Sequence, residues 1–242
     1  MGLAVALPIV ALGFLLHGML VLAPAVPVLD TAAIVYLLIA AAVAALDAWL
    51  RADRRAIPAL AISAALAVLW AAHLILFPGT VPGMDHTYAS VATSSVFVAI
   101  NLMTPLMLSV ALLWLGGTLA TPGRTAAVAL AIGLLLGGLM VATALSLTPT
   151  FPTVTAAGVF TNTERWVGAA GLVPALVGLT VFLTGRRGDV RVSNGLAAAL
   201  VIAGTNSIVL FFSTTAIRSC GTRTTCLRLP PPSPCSRARW LC

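Results

Sequence analysis

The sequence predicts an all-α fold, a polytopic bundle of about seven transmembrane helices. Hydrophobic residues make up 60% of the 242 residues and charged residues only 8%, against roughly a quarter in soluble domains. The apolar residues fall into seven segments of about 20 residues, the length that crosses the hydrocarbon core of a bilayer as a helix. Seven such helices use most of the chain, so we expect short loops and no soluble domain.

The predicted spans are 3–23, 29–50, 57–77, 93–116, 125–147, 166–184 and 195–213. The first lacks the basic start of a signal peptide and has a longer apolar stretch, so we interpret it as a retained span. Pro- and Gly-containing turns such as Phe77-Pro78-Gly79 and Thr121-Pro122-Gly123 separate the segments. Asp30 and Thr31 lie where a short polar side chain caps the second helix.

Arginine positions predict the topology of the membrane helices. All 13 basic residues are Arg, and the net charge is +7. Three loops that fall on one side of the seven-span scheme hold seven arginines, and the opposite loops hold only Arg165. Because cytoplasmic loops carry the excess of positive charge, we expect these loops and the N-terminus to be cytoplasmic. The charge therefore gives no reason to expect a nucleic-acid partner.

The last 26 residues, 217–242, differ abruptly from residues 1–216. They contain all four cysteines, five arginines, a Pro230–Pro232 run and no acidic residue. A zinc or disulfide module is one interpretation, although the cysteine spacing matches no zinc pattern. A disordered basic tail is a second. We favour a third, an out-of-frame reading of GC-rich DNA that begins near residues 216–220.

Ionisable and amide side chains inside spans are candidates for function or for helix bridging. His17, His73 and Asn101 are of this kind. We expect interhelical hydrogen bonds from the two histidines in preference to haem ligation, and interhelical bonding from Asn101 in preference to ion binding. No cofactor and no metal site is predicted.

Other residues have structural interpretations. Asp47 and Arg51 are spaced as an i,i+4 pair at the membrane interface. Gly133 and Gly137 form a GxxxG motif that favours close helix contact. Pro105 and Pro174 are expected to kink their helices.

Several activities lack the residues they need. A retinal Schiff base requires a membrane lysine, and the chain has none. Ion-coupled pumps usually have a carboxylate near mid-membrane, whereas the span carboxylates Asp30 and Asp47 lie near helix ends. The HExxH, GxSxG and P-loop motifs are absent from the sequence. We therefore predict that the chain is not an enzyme.

The third span ends in Leu74-Ile75-Leu76-Phe77-Pro78-Gly79, which resembles a signature of bacterial membrane-associated sensor domains, the fourth MASE family in particular. The second span with Val35–Leu38 leading to the Arg51–Arg55 cluster is similar too, as are Arg165-Trp166 and Phe211–Ser213. The resemblance covers about residues 5–216.

The resemblance implies the N-terminal sensor part of a histidine kinase or diguanylate cyclase, with about eight spans and a homodimeric assembly. The chain departs from that pattern after Thr215, so we expect a sensor that lacks its output domain. We expect the stimulus, which the sequence does not identify, to be a small molecule or a state of the membrane, and the lipid bilayer to be the surrounding partner. We expect the stimulus to act at one of two places. The first is the pair of outer loops, 148–165 and 78–92, the latter of which holds Asp85 and His86. The second is the region near His73 and Asn101. The alternatives are a small transporter or channel subunit, supported by Asn101 and the span prolines, and a membrane haem protein using His17 and His73.

Overall fold

The structure, a computed structural model, describes residues 26–83, 86–113, 118–150, 155–156, 159–160, 162–184, 196–208 and 210–211. These residues form six helices: α1 Val26–Arg51, α2 Ala56–Leu76, α3 His86–Leu113, α4 Pro122–Leu147, α5 Asn162–Thr184 and α6 Leu196–Ile208. A 3-10 turn, Thr148–Thr150, follows α4, and strands β1 Thr155–Ala156 and β2 Val159–Phe160 pair antiparallel before α5.

Five of these helices, α1 to α5, are long and apolar enough to cross a membrane, and α6 is a shorter apolar helix. The helical, multi-pass character expected from the composition is therefore confirmed. The predicted span 3–23 and the segment 217–242 lie outside the described residues, so the number seven rests on the sequence alone.

All five long helices begin earlier than the hydropathy pattern predicted, and α3 and α5 differ most. The span predicted at 93 starts at His86, and the span predicted at 166 starts at Asn162. The early part of α3 is rich in hydroxyl side chains, which lower its hydropathy but bond to carbonyls four residues back, as Thr93 does to Ala89 (2.7 Å) and Ser94 to Ser90 (2.9 Å). The outer loops predicted at 78–92 and 148–165 are correspondingly shorter.

The outer surface of the bundle is apolar. Leu135 is 74% exposed, Val173 61% and Leu50 74%, and many other large aliphatic side chains also point outward. Monomeric soluble proteins rarely expose apolar patches of this extent. Such a surface is stable when hydrocarbon surrounds it, as the composition requires.

Helix α2 lies at the centre and packs against α1, α3 and α4, while α3 also packs against α5. Its Ile62, Leu66 and Leu69 form the main buried cluster with Val96 of α3 and Leu200 of α6. A second cluster joins α1 to α2 and α4 and consists mostly of alanines.

Two glycines of α4 allow its close approach to α2. A Cβ on Gly133 would collide with the backbone of Ala61, and one on Gly137 would lie 2.7 Å from the Ala65 carbonyl oxygen. Both contacts advance in the same direction along both helices, so α2 and α4 run parallel. The next residue, Gly138, faces open space, with no atom within 4 Å of such a Cβ.

Glycines of α5 make the same kind of contact with α3 and α6. A Cβ on Gly171 would lie 2.8 Å from the Ser207 hydroxyl and 2.9 Å from the Asn101 carbonyl oxygen. A Cβ on Gly168 would lie 2.6 Å from the Ser207 carbonyl oxygen. Backbones that approach this closely gain van der Waals contact, the main attraction between helices in lipid.

The connections α1–α2 and α3–α4 meet at one end of the bundle. Ala52, with φ of 52°, ends α1 in the left-handed region, and its carbonyl accepts a 2.8 Å hydrogen bond from the Leu119 amide. Asp53 pairs with Thr118 as an isolated bridge. Two of the predicted arginine loops, with Arg51–Arg55 and Arg124, therefore lie together at what we call the arginine end.

We expect Gly137→Ala to lower the free energy of unfolding by about 1–3 kcal/mol, because the methyl group overpacks the α2–α4 contact. Gly138→Ala is the matched control and should be neutral or slightly stabilising, since alanine has the higher helix propensity. Unfolding titrations of purified protein in mixed micelles measure both. Equal effects of the two substitutions would contradict the close α2–α4 contact.

Candidate functional site

A buried acid–histidine pair joins the first two described helices. The Nδ1 atom of His73 in α2 lies 2.7 Å from Oδ2 of Asp30 in α1. The side chains are 6% and 2% exposed, respectively. We call this pair the clasp. Ionisable groups at such depth within membrane helices are expensive to bury and mark functional sites by default.

Aromatic rings surround the histidine. The Trp70 ring stands edge-on to the imidazole, with centroids 5.9 Å apart. Phe77 lies at 6.4 Å and Phe97 of α3 at 6.1 Å. These rings exclude water from the imidazole, and low local dielectric strengthens its bond to Asp30.

Helical periodicity explains why both clasp residues point inward. Asp30 precedes Ala41 by eleven residues, about three turns, and therefore shares the face of the buried residues Ala41, Ala44 and Ala48. On α2, His73 follows Leu69 by one turn and continues the buried face of that helix. Asp30 and His73 come into contact because the buried face of α1 packs against the buried face of α2.

The expectation that Asp30 and Thr31 cap the second predicted helix is wrong. The helix begins at Val26, so both residues lie inside it. Thr31 donates to the Pro27 carbonyl oxygen at 2.7 Å, and Asp30 bonds to His73. Proximity to a helix end led us to treat Asp30 as an interfacial residue; the signal that was missed is its register with the buried alanines.

A second polar contact lies deeper, midway along α3. The amide of Asn206 in α6 donates to Oδ1 of Asn101 at 2.7 Å, and the Asn101 amide donates to the Phe97 carbonyl at 2.8 Å. Pro105 has no N–H to donate to the Asn101 carbonyl four residues before it, and Gly171 packs against that oxygen. Asn206 was not identified from the sequence.

The two span prolines lie at one helix contact. The Ser109 hydroxyl is 2.7 Å from the Pro105 carbonyl oxygen and 2.6 Å from that of Pro174. This hydroxyl therefore links α3 to α5. Beside it runs a groove of about 480 Å³, whose lining is apolar apart from Ser109.

Asp47 and Arg51 form an ion pair of 3.1 Å one turn apart on α1, with side chains 18% and 55% exposed. An exposed pair of this kind contributes about 0.3–0.5 kcal/mol. It lies at the arginine end, near the opposite end of α1 from the clasp.

Three of the predicted site residues are placed only in part or not at all. His17 and Asp85 lie outside the described residues, and His86 is described only as the first residue of α3. The structure thus brings His73 to Asp30 and Asn101 to Asn206, without joining the two pairs. Within the described part of the chain, no group of three His, Cys, Asp or Glu side chains is arranged to hold a metal ion.

At the start of α5, Glu164 is buried and the Arg165 guanidinium lies 4.8 Å from the centre of the Phe211 ring. This cation–π contact joins the start of α5 to residues 210–211, which come after α6 in the chain. It connects two of the short motifs on which the sequence resemblance rests.

No protein family, no curated protein and no solved structure matches this chain.

We expect His73→Phe to cost about 3–5 kcal/mol of unfolding free energy, because it leaves the Asp30 carboxylate buried without its imidazole partner. Combining it with Asp30→Leu should recover part of that loss. Unfolding titrations of the two single variants and the double variant give the coupling energy. Costs that simply add would show that the two side chains do not interact, and Asp47→Asn serves as the control for a partly exposed acid on the same helix.

Proposed function

We propose that this chain is a non-catalytic sensor domain of a membrane signalling protein, in which the Asp30–His73 clasp sets the position of α1. The observation that supports the proposal is a buried ionisable pair that joins two membrane helices at one end of the bundle. A sensor of this type shifts between two helix packings that a stimulus biases unequally.

The weak burial of α1 makes it the best candidate for the moving element. Only 11% of its most apolar window is buried, against 56% for α3. Its fully buried contacts toward α2 and α4 are those of Ala41, Ala44 and Ala48, which remove little apolar area each. The clasp adds a buried polar contact to the extensive packing of α1 along α2.

Helix α1 also connects the clasp to the arginine end. Asp30 and Arg51 are 21 positions apart, which corresponds to about 32 Å along a helix. At the far end, the Ala52 carbonyl binds the Leu119 amide of the α3–α4 connection. A tilt of α1 at the clasp would be transmitted to this backbone contact.

The short motifs that resemble the fourth MASE family agree with this proposal. They suggest a homodimer in a bacterial inner membrane, with the N-terminus and the arginine end in the cytoplasm, where a kinase or cyclase output would be regulated. The excess of arginine at that end supports the same orientation.

Proteolysis by trypsin tests whether a change at the clasp reaches the arginine end. Trypsin cleaves after arginine, all 13 basic residues are arginines, and mass spectrometry follows cleavage at that end. In lipid nanodiscs, Asp30→Ala should speed cleavage after Arg54 and Arg55 severalfold, about tenfold for each 1.4 kcal/mol that reaches the loop. The control is Thr31→Val, because the Thr31 hydroxyl bonds only within α1. Equal cleavage rates in Asp30→Ala and the parent would contradict a sensor that acts through α1.

A proton-coupled transporter is the second candidate, because buried Asp and His groups also form proton relays in carriers. The groove beside Pro105 and Pro174 is apolar and supports an acyl chain rather than an ion as its occupant. Proteoliposomes with a pH gradient discriminate the two functions. Proton flux that Asp30→Asn abolishes would favour the carrier, and the sensor requires none.

A further inference from the structure

We propose that the arginine end is a binding surface for the phosphate headgroups of anionic glycerophospholipids in the membrane leaflet that it faces. The proposal goes beyond the sensor function and does not depend on it. It follows from three properties of the arginines: two connections bring them together, the acids of the chain cannot neutralise them, and they lie at the level of the lipid headgroups.

A backbone contact brings arginines from two parts of the chain to one surface. The Leu119 amide donates to the Ala52 carbonyl at 2.8 Å, which holds the α1–α2 turn against the segment that leads into α4. Arg54 lies in this turn and Arg124 in the first turn of α4, and both are exposed. Beside Arg124 there is open space, since no atom lies within 4 Å of a Cβ built on Gly123. A headgroup can therefore reach guanidinium groups on both sides of the contact.

The last part of α5 points to the same end of the bundle. A Cβ on Gly171 would meet the Asn101 carbonyl, and one on Gly178 would meet the Ser109 side chain. Both contacts advance in the same direction along both helices, so α5 runs parallel to α3 and ends, as α3 does, toward the arginine end. The sequence that follows α5, 185–194, adds three arginines and one aspartate.

The acidic residues of the whole sequence are too few to neutralise these arginines. There are six, and three of them belong to the opposite end, where α1 and α5 begin and α2 leads to α3: Asp30, Asp85 and Glu164. The other three acids face the seven arginines of the 51–55, 117–124 and 185–194 connections. Whatever pairs form among these groups, the arginines remain in excess. The surface therefore complements an anion.

Exposed apolar residues border the arginines and place them next to lipid phosphates. Trp49 is 63% exposed and Leu50 74%, and both directly precede Arg51 in the chain. Tryptophan is enriched where hydrocarbon meets the headgroups, so the arginines that follow lie at headgroup level. Guanidinium groups form bidentate, charge-assisted hydrogen bonds to phosphate. This level in the bilayer favours a lipid headgroup over a soluble anion as the occupant.

Quenching of Trp49 emission by brominated lipids tests the proposal on the full chain. Nanodiscs of phosphatidylcholine with a minor fraction of phosphatidylglycerol are prepared in two forms of equal headgroup composition. In one form the phosphatidylglycerol carries bromine on its acyl chains, and in the other an equal amount of phosphatidylcholine does. The Trp49 signal is the difference from Trp49→Phe. Brominated phosphatidylglycerol should associate with the site more tightly than brominated phosphatidylcholine, by about fivefold for each arginine that contacts the phosphate.

Substitutions at the arginine end show whether charge causes this preference. Arg54→Gln combined with Arg124→Gln should remove most of it, whereas lysine at the same two positions should keep it, because the charge is retained. Asp53→Asn should increase the preference, since it removes an acid while the amide oxygen can still accept from the Arg55 N–H, as Oδ1 of Asp53 does at 2.9 Å. Arg165→Gln, at the opposite end, is the control and should leave the preference unchanged.

Equal quenching by the two brominated lipids in the parent overturns the proposal, and so does a preference that survives in the double glutamine variant. A third arm adds soluble glycerol phosphate at constant ionic strength. The preference should persist, and its loss would show that the surface takes a soluble phosphate instead of a lipid headgroup. None of these results bears on the tryptic comparison of Asp30→Ala with the parent, so failure of lipid binding is distinguishable from failure of the sensor proposal.

Discussion

Hydrocarbon forms no hydrogen bonds, and this constraint shapes the polar groups of the described bundle. Backbone groups pair within helices, and hydroxyl side chains bond to carbonyls one turn back, as Thr104 does to Ile100 and Thr180 to Leu176. Polar groups that are not satisfied locally make contacts between helices. Asp30 with His73 and Asn206 with Asn101 are of this second kind. Together with hydroxyl contacts such as that of Ser109 with the Pro174 carbonyl, they favour particular pairings of helix faces.

Small residues allow the helices to approach closely, which adds van der Waals attraction between them. Helices α2 and α4 approach through Gly133 and Gly137, and α5 approaches its neighbours through Gly168 and Gly171. These close contacts involve backbone atoms and leave little freedom. Helix α1 differs, because its contacts come mostly from alanines, the partly buried Leu37 and the Asp30–His73 pair, and most of its surface faces outward. Helix α1 thus packs along α2 through small side chains and one buried polar pair, and the proposed sensing role depends on these contacts.

Hydropathy and turn residues predicted the helical class and the approximate bounds of the described spans, because both depend on local composition. Polar residues among 86–92, such as His86, Thr87 and Ser90, lowered the hydropathy and concealed the first seven residues of α3 from this pattern. The partners of His73 and Asn101 depend on how helices rotate and pack, which composition does not encode. Asp30 could have been identified from the sequence as a buried residue, since its register with Ala41, Ala44 and Ala48 places it on the buried face of α1. Asn206 also carried a signal that was missed, since it is an amide side chain inside the predicted span 195–213, as Asn101 is inside 93–116.

The distance between the ends of α1 and α2 at the clasp tests the central claim most directly. Val28 and Ile75 flank the clasp and are 68% and 53% exposed, so Val28→Cys and Ile75→Cys accept spin labels in a background whose four native cysteines are replaced by serine. Pulsed electron–electron double resonance in nanodiscs should give one narrow distribution of distances between the two labels. When Asp30→Ala is added, the mean distance should increase and the distribution should broaden. An unchanged distribution would show that Asp30 and His73 do not hold α1 in place.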